Sequence, residues 1–175
     1  MRRGARYALD VAIPPFITAL REHIGTQMLW LPGVSGVVLD AAGRILLAQR
    51  TDDALWTVIS GVLEPGEEPA VGLAREVLEE TGVTVHVEAF SALSVTGPIV
   101  YDNGDRTQYV DLCFVCRPLD AAEAAAAHVA DDESLAVGWF SPDALPEGLA
   151  PSSRDRIGWT LEYLADPSAG PRFAR

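Results

Sequence analysis

The chain has 175 residues, a length that typically forms one domain with its own hydrophobic core. Its 13 basic and 25 acidic residues give a formal net charge of −12. Such an acidic chain lacks the positive surface that holds a nucleic-acid backbone or an anionic membrane, so we expect neither as a partner. No apolar run approaches the roughly 20 residues that span a bilayer, and Pro14-Pro15 interrupt any region resembling a signal peptide. We therefore predict a cytoplasmic protein.

Residues 1–30 are predicted to form an N-terminal extension that contains a short helix. Phe16, Leu20 and Ile24 follow helical spacing within residues 15–24. Such a helix either packs on its own domain or supplies a homodimer contact. The sequence does not separate these two alternatives.

The rest of the chain alternates strand and helix patterns. Strands are predicted at residues 34–39, 44–50, 56–60, 84–95, 106–117 and 137–140, and an amphipathic helix at residues 152–165. With a further helix between the third and fourth strands, this order indicates an α/β fold with a mixed sheet between helical layers. The domain is predicted to span residues 31–165, and residues 166–175 to form a flexible tail.

Cys113 and Cys116 form a Cys-x-x-Cys pair, a spacing that occurs in redox and zinc sites. The residues around them are strand formers, and a strand sends side chains three residues apart to opposite faces. The sequence has no second cysteine pair or histidine cluster to complete a metal site. We therefore predict two buried structural thiols.

The most informative pattern lies in residues 61–83. Glu76, Glu79 and Glu80 stand at positions i, i+3 and i+4, which share one face of a helix. Three carboxylates so close together repel one another unless a positive group lies between them. Divalent cations such as Mg²⁺ and Mn²⁺ prefer oxygen ligands, so the pattern indicates a metal site. The alternative is a solvated helix face.

The helix in this segment is predicted to begin at Pro69, where a missing N–H costs nothing. It is predicted to end at Gly82, because glycine accepts the left-handed conformation of a C-terminal cap. Its apolar face is formed by Ala70, Leu73, Ala74 and Val77.

The same segment resembles the complete Nudix box, G-x5-E-x7-R-E-U-x-E-E-x-G-U, in which U is a bulky aliphatic residue. Every specified position is filled, by Gly61, Glu67, Arg75, Glu76, Val77, Glu79, Glu80, Gly82 and Val83. From average residue usage, a chance match is on the order of one in a billion per starting position. The resemblance implies a Nudix-type α/β/α sandwich with a mixed β-sheet and a metal-dependent hydrolase that cleaves phosphoric anhydrides.

The resemblance also implies a role for each charged residue of the box. The metal ligands would be Glu76, Glu79 and Glu80, with the carbonyl oxygen of Gly61 as a further ligand. Glu79 and Glu80 also belong to the expected catalytic set. Arg75 would brace the helix by pairing with Glu67, which could reach the metal through water. The expected metal is Mg²⁺, with Mn²⁺ as the alternative.

Outside the box, an acidic loop at residues 131–134 precedes a strand that carries Trp139. Many family members supply one more acidic residue from such a loop, and we predict Glu133 as an extra ligand or general base, with Asp132 in reserve. The alternative is an ordinary acidic surface loop. Before the box, Ser60 stands where family members often have glycine, which leaves the ligands unchanged but reduces the conformational freedom of the loop.

The box does not define the substrate, because the family cleaves nucleoside diphosphates linked to many other moieties. Pro98, 15 residues after Val83, is similar to a marker of ADP-ribose hydrolases, whereas Tyr101, 18 residues after Val83, is similar to one of dinucleoside polyphosphate hydrolases. Arg50 and Arg106 are candidate phosphate contacts or ordinary surface residues.

The lead substrate from sequence is ADP-ribose or a related nucleotide sugar. The alternative is a nucleoside triphosphate, cleaved in a house-cleaning reaction. A hypothesis of another class is a non-catalytic sensor that binds nucleotides. This hypothesis predicts a box that has lost its metal-ligand glutamates. All of them are present here.

Overall fold

The computed structural model describes residues 13–173. Residues 1–12 of the predicted extension and the last two residues of the predicted tail lie outside this range. The helices are α1 (Pro15–Ile24), α2 (Pro69–Thr81), α3 (Ala121–Ala125) and α4 (Pro151–Ala165). The strands are β1 (Leu29–Val38), β2 (Ile45–Arg50), β3 (Trp56–Thr57), β4 (Ile59–Val62), β5 (Val85–Val95), β6 (Ile99–Val100), β7 (Arg106–Pro118), β8 (Ser134–Phe140) and β9 (Arg172–Phe173). In this part of the chain, no helix is long and apolar enough to cross a membrane.

The strands form two sheets. The larger has the order β4-β1-β7-β5-β9, with β6 also paired to β7. Its central strands β1 and β7 are parallel, whereas β4 runs antiparallel to β1 and β5 runs antiparallel to β7, so this sheet is mixed, as predicted. The smaller sheet has the order β3-β2-β8 and is antiparallel.

Strand positions were predicted well, but strand partners were not evident in the sequence. The strands on either side of the turn at residues 40–43 lie in different sheets, joined beside the turn by a bridge between Leu39 and Ile45. The strand predicted at residues 56–60 divides at Val58 into β3 and β4, which pair with β2 and β1 respectively.

Alternation along β1 explains why helices cover both faces of the larger sheet. Val34 and Val38 point into a buried cluster that includes Leu73 and Val77 of α2. Val37 points the other way, into a cluster that includes Ile157 of α4. The result is three layers, with α2 and α4 outside and the strands between them.

Cys113 and Cys116 of β7 confirm the prediction of structural thiols. Both are buried and free, and they belong to the two opposite clusters. Burial raises the pKa of each thiol above its usual value, so neither is a reactive thiolate.

The predicted N-terminal helix is present as α1, although its buried residue is Ile17 and Leu20 is exposed. Arg21 attaches α1 to the turn before β7, because its guanidinium donates to the carbonyl of Arg106 at 2.9 Å and lies 3.3 Å from the Asp105 carboxylate. The helix therefore contacts its own chain, and the homodimer alternative stays a prediction.

The segment after α4 differs from the flexible tail that we expected. A short 3-10 turn at Pro167–Ala169 is followed by β9, whose Arg172 and Phe173 pair in parallel with Ala92 and Leu93 of β5. Two residues are too short for a periodic pattern, so the sequence carried no sign of this strand.

A buried ion pair joins α4 to the larger sheet. Arg156 Nε donates to Asp111 Oδ2 at 2.8 Å, and Ser35 Oγ donates to the same oxygen at 3.0 Å. Asp111 is only 2% exposed. Removing one partner of such a pair leaves an uncompensated buried charge, which is costly.

Replacing Arg156 by Ala should therefore lower the free energy of unfolding by about 3 kcal/mol. Arg154→Ala, at an exposed position of the same helix, should change it by less than about 0.5 kcal/mol. Urea denaturation of the two variants and the wild type tests this. Equal losses in both variants would contradict the importance of the Asp111 pair.

Candidate active site

The helix α2 has the boundaries that the sequence predicts. It begins at Pro69 and ends at the cap residue Gly82, whose φ of 68° is left-handed and whose N–H donates to the carbonyl of Leu78. Leu73 and Val77 are fully buried. Their burial fixes the rotation of the helix about its axis, and this rotation brings Glu76 and Glu80 toward the strands.

Arg75 connects three of the predicted site glutamates. Its Nε and Nη2 donate to the two carboxylate oxygens of Glu67 at 2.9 and 3.1 Å, so the pairing implied by the family resemblance is present. Its Nη1 donates to Glu76 Oε1 at 3.0 Å and to Glu79 Oε2 at 2.9 Å. The hydrogen bonds between Arg75 and Glu67 raise the pKa of the guanidinium and lower that of the carboxyl. Arg75 thus joins the loop before α2 to the acidic face of the helix.

Gly61 has a steric role at the edge of the larger sheet. It lies in β4 opposite Val34 of β1, and a Cβ atom at this position would overlap the carboxylate of Glu76. Glycine therefore allows the Glu76 side chain to lie directly against the strand. The additional role of the Gly61 carbonyl as a metal ligand stays a prediction.

The acidic loop before β8 is attached to the end of α2. The N–H groups of His128 and Ala130 donate to the carbonyls of Thr81 and Glu80 at 3.0 and 3.2 Å. These bonds satisfy carbonyls that the helix leaves unpaired at its C-terminal end. They also hold residues 131–134 beside the glutamates of α2.

The other end of this loop is attached to Thr51, the residue that follows β2. The N–H and the hydroxyl of Thr51 both donate to the carbonyl of Glu133, at 2.9 and 3.0 Å. Glu133 is thereby brought close enough to Glu76 and Glu80 to affect the pKa of both. Three predicted acidic residues from two distant parts of the sequence thus share one region.

Burial and like charge dominate the electrostatics of this region. The pKa of Glu76 is raised to about 7, mainly by burial. Arg75 acts to lower this pKa, whereas the charges of Glu79 and Glu133 act to raise it. Burial also raises the pKa of Glu80 well above its usual value, with Glu76, Asp131 and Glu133 acting in the same direction. Such perturbed carboxylates are typical of functional sites, because structural stability alone favours their separation.

Among residues 13–173, no three acidic, histidine or cysteine side chains are arranged so that they would hold a metal ion directly. Glu76 and Glu79 are instead bound to Arg75, and Glu79 is exposed. The donor chemistry nevertheless suits a hard divalent cation, since all the candidate ligands are oxygens and their mutual repulsion would be relieved by positive charge.

Two features of this region were not predicted from the sequence. Asp131, which the sequence did not indicate, raises the pKa of Glu80. The reserve residue Asp132 is exposed. A cavity of about 40 Å³ also lies beside the carboxylates. It is lined by Ala48, Arg50, Thr51, Asp52, Thr57, Ser60, Glu80, Glu133 and Ser134.

Pro98 and Tyr101, which are similar to substrate markers of the family, do not line the cavity beside Glu80. The hydroxyls of Tyr101 and Tyr109 are 3.0 Å apart, and Tyr101 is 42% exposed. Neither tyrosine, nor Pro98, nor the candidate phosphate contact Arg106 lines the cavity beside Glu80. Arg50 is the one candidate phosphate contact that does.

Comparison with known proteins identifies the family. The family model described as the NUDIX domain matches residues 29–159, which is most of the chain and includes α2 and the loop at residues 131–134. The chain belongs to the Nudix hydrolase family. Family membership makes it a hydrolase that acts on nucleotide-linked substrates.

Two bacterial relatives illustrate the similarity to other Nudix hydrolases. A MutT-like protein of Streptomyces ambofaciens is 41% identical over 117 residues, covering 67% of this chain and 68% of the relative. A putative 8-oxo-dGTP diphosphatase of Bacillus subtilis is 27% identical over 129 residues, covering 74% of this chain and 78% of the relative.

Solved structures confirm the Nudix α/β/α fold. A UDP-X diphosphatase superposes with a TM-score of 0.63 at 19% identity, covering 90% of this chain and 73% of the other. An ADP-ribose pyrophosphatase from Streptococcus suis gives 0.62 at 20% identity, covering 82% and 98%. At these identities the similarity concerns the fold alone.

Replacing Gly61 by Ala should reduce turnover by about 100-fold, because the new methyl group must displace the Glu76 carboxylate, and misplacement of a site residue by about 1 Å can cost this much. Gly97→Ala is the matched control, since a Cβ there meets no atom within 4 Å. Steady-state kinetics and thermal unfolding of both variants test this prediction. A Gly61→Ala enzyme with wild-type turnover would show that the close approach of Glu76 has no catalytic importance.

Proposed function

We propose that this Nudix hydrolase is a divalent-metal-dependent pyrophosphohydrolase whose site consists of Glu76, Glu79 and Glu80 of α2 with Glu133 of the acidic loop. The observation that supports it best is the proximity of Glu76, Glu80 and Glu133 despite their repulsion, with the pKa of Glu76 near 7. A protein that had no use for a cation there would gain stability by separating them.

In this proposal the three glutamates of α2 hold Mg²⁺ or Mn²⁺, with the Gly61 carbonyl as a further ligand. The bound cation would polarise phosphoryl oxygens and lower the pKa of the attacking water. Glu133 would accept the proton of that water. Cleavage of a phosphoric anhydride in this way needs no covalent enzyme intermediate.

Arg75 would contribute by positioning. Its two bonds to Glu67 leave Nη1 for Glu76 and Glu79, so it holds both carboxylates in place before a cation arrives. If Glu76 and Glu79 bound a cation, the pair between Arg75 and Glu67 would still fix the loop to the helix. Arg75 is thus a positioning residue in this mechanism.

For the substrate, we propose a nucleoside triphosphate first and ADP-ribose or another nucleotide sugar second. This reverses the order that the sequence alone indicated. The relatives compared at 27–41% identity carry MutT-like and 8-oxo-dGTP diphosphatase names, whereas the ADP-ribose and UDP-X enzymes match in fold. The Pro98 marker that favoured ADP-ribose does not line the cavity beside Glu80.

The first test is turnover with Mg²⁺ on common and oxidised nucleoside triphosphates, ADP-ribose, nucleotide sugars and diadenosine polyphosphates, with identification of the products. Wild type should release a nucleoside monophosphate, and Glu80→Gln should lose at least about 100-fold in turnover, as expected for loss of a group that stabilises transition-state charge. Turnover by Glu80→Gln at the wild-type rate would contradict the proposed site. Binding without turnover by the wild type would favour the sensor hypothesis.

Metal binding should be visible in thermal unfolding without any substrate. At a Mg²⁺ concentration tenfold above its Kd, the wild type should gain about 1.4 kcal/mol, or about 3–6 °C in Tm. Glu80→Gln should be at least as stable as the wild type without metal, because it removes a repelling charge, but it should lose the response to Mg²⁺.

Glu162→Gln, at an exposed position of α4, is the control for this measurement and should respond to Mg²⁺ like the wild type. An equal Mg²⁺ response in Glu80→Gln and in the wild type would mean that the cation binds elsewhere.

A further inference from the structure

A β-bulge lies where the strand β8 begins. Strands β2 and β8 pair in a regular register as far as Gln49 and Ala136, but the next pair is Arg50 with Ser134. Leu135 is therefore an extra residue in β8, and its side chain is 56% exposed. Such bulges redirect a strand and are frequent beside active sites. Here the bulge shifts the acidic loop by one residue along the end of β2.

Thr51, the residue after β2, contacts the acidic loop at Glu133. Its N–H donates to the carbonyl oxygen of Glu133 at 2.9 Å, and its hydroxyl donates to the same oxygen at 3.0 Å. A carbonyl oxygen has two lone pairs, so the two donors do not compete. With a regular register, Ser134 would lie opposite Thr51. The bulge and the two hydrogen bonds together select Glu133 for this place.

The turn that carries Thr51 is itself fixed. The N–H of Arg50 donates to the carbonyl of Leu55 at 2.9 Å, and the N–H of Leu55 donates to Asp53 Oδ1 at 3.0 Å. Thr51 is also β-branched, a type of side chain with few χ1 rotamers. Its hydroxyl is thus a well-placed donor, and the main chain of Glu133 is held against a rigid partner.

The position of the main chain matters because the Glu133 side chain is exposed. An exposed glutamate has several rotamers, so the place where its main chain is held determines which atoms its carboxylate can reach. A general base acts only within hydrogen-bond reach of the proton that it accepts. Displacement of such a group by about 1 Å can cost about 100-fold in rate.

We propose that Thr51 is the positioning residue of Glu133, through the bond from its hydroxyl to the Glu133 carbonyl oxygen. This inference rests on the proposed function, in which Glu133 accepts the proton of the attacking water. It adds to that function the residue that holds the general base within reach. In this proposal, Thr51 acts through Glu133 and does not bind the substrate.

The experiment removes the hydroxyl without changing the shape of the side chain. Thr51→Val lacks the donor and Thr51→Ser retains it. Thr96→Val is the matched control, because Thr96 follows β5 as Thr51 follows β2. The N–H of Thr96 donates to the Tyr109 carbonyl at 3.0 Å, and its hydroxyl accepts from the Tyr109 N–H at 2.9 Å. The control thus loses a hydroxyl–backbone bond outside the acidic loop.

Thr51→Val should lower kcat by about 5–20-fold, which is part of the roughly 100-fold or more that a general base contributes, and change KM by less than about twofold. Thr51→Ser should restore kcat to within about threefold of the wild type. Thr96→Val should lower Tm by an amount similar to Thr51→Val and keep the wild-type kcat and KM. A raised KM with unchanged kcat in Thr51→Val would overturn the proposal, since Thr51 would then bind the substrate directly.

A double-mutant cycle tests whether Thr51 acts through Glu133. Glu133→Gln should lower kcat by about 100-fold or more, and adding Thr51→Val to it should lower kcat by less than about twofold further. An equal loss in both backgrounds would overturn the proposal, because the hydroxyl would then support activity by another route.

Deuterium exchange tests the position of the loop without any substrate. Thr51→Val should raise the early uptake of a peptide spanning residues 128–135 by at least about twofold, and Thr51→Ser and Thr96→Val should leave it unchanged. Unchanged uptake in Thr51→Val would overturn the proposal.

If the wild type hydrolyses nothing in the substrate panel, or if Glu133→Gln keeps the wild-type kcat, the proposed function fails separately. The deuterium uptake alone then decides whether Thr51 positions Glu133. Thr51→Ala replaces Thr51→Val in each comparison if Thr51→Val does not fold.

Discussion

The rotation of α2 about its axis is the constraint on which the site depends. Leu73 and Val77 are completely buried against the strands, and burial of two such side chains contributes about 3–6 kcal/mol. This packing forces Glu76 and Glu80 into a region that they would avoid on electrostatic grounds. The apolar face of the helix therefore supplies the free energy that keeps the acidic face in place.

The neighbouring segments are adapted to this crowding in different ways. Gly61 removes the side chain that would displace Glu76, and Arg75 joins Glu67 to the helix while neutralising part of the acidic face. The backbone bonds from His128 and Ala130 to the end of α2 then add Glu133 to the same region. Together these contacts form the acidic region at which we propose that a cation binds.

The two arginines of this region, Arg75 and Arg50, have different surroundings. Arg75 pairs with three glutamates, Glu67, Glu76 and Glu79. Arg50 pairs with Asp52, and it lines the cavity beside Glu80. The proposed function requires a cation at the carboxylates, because an acidic chain otherwise repels an anionic substrate.

Much of this was present in the sequence, because helix boundaries and box spacing are local. Pro69, Gly82 and the stripe of Glu76, Glu79 and Glu80 follow from residues within one segment. Strand partners, the strand β9 and the approach of Asp131 to Glu80 were decided by tertiary structure, since they join residues far apart in the chain. Local periodicity defines where an element lies and which side is apolar; the packing of two sheets between α2 and α4 determines which side chains meet.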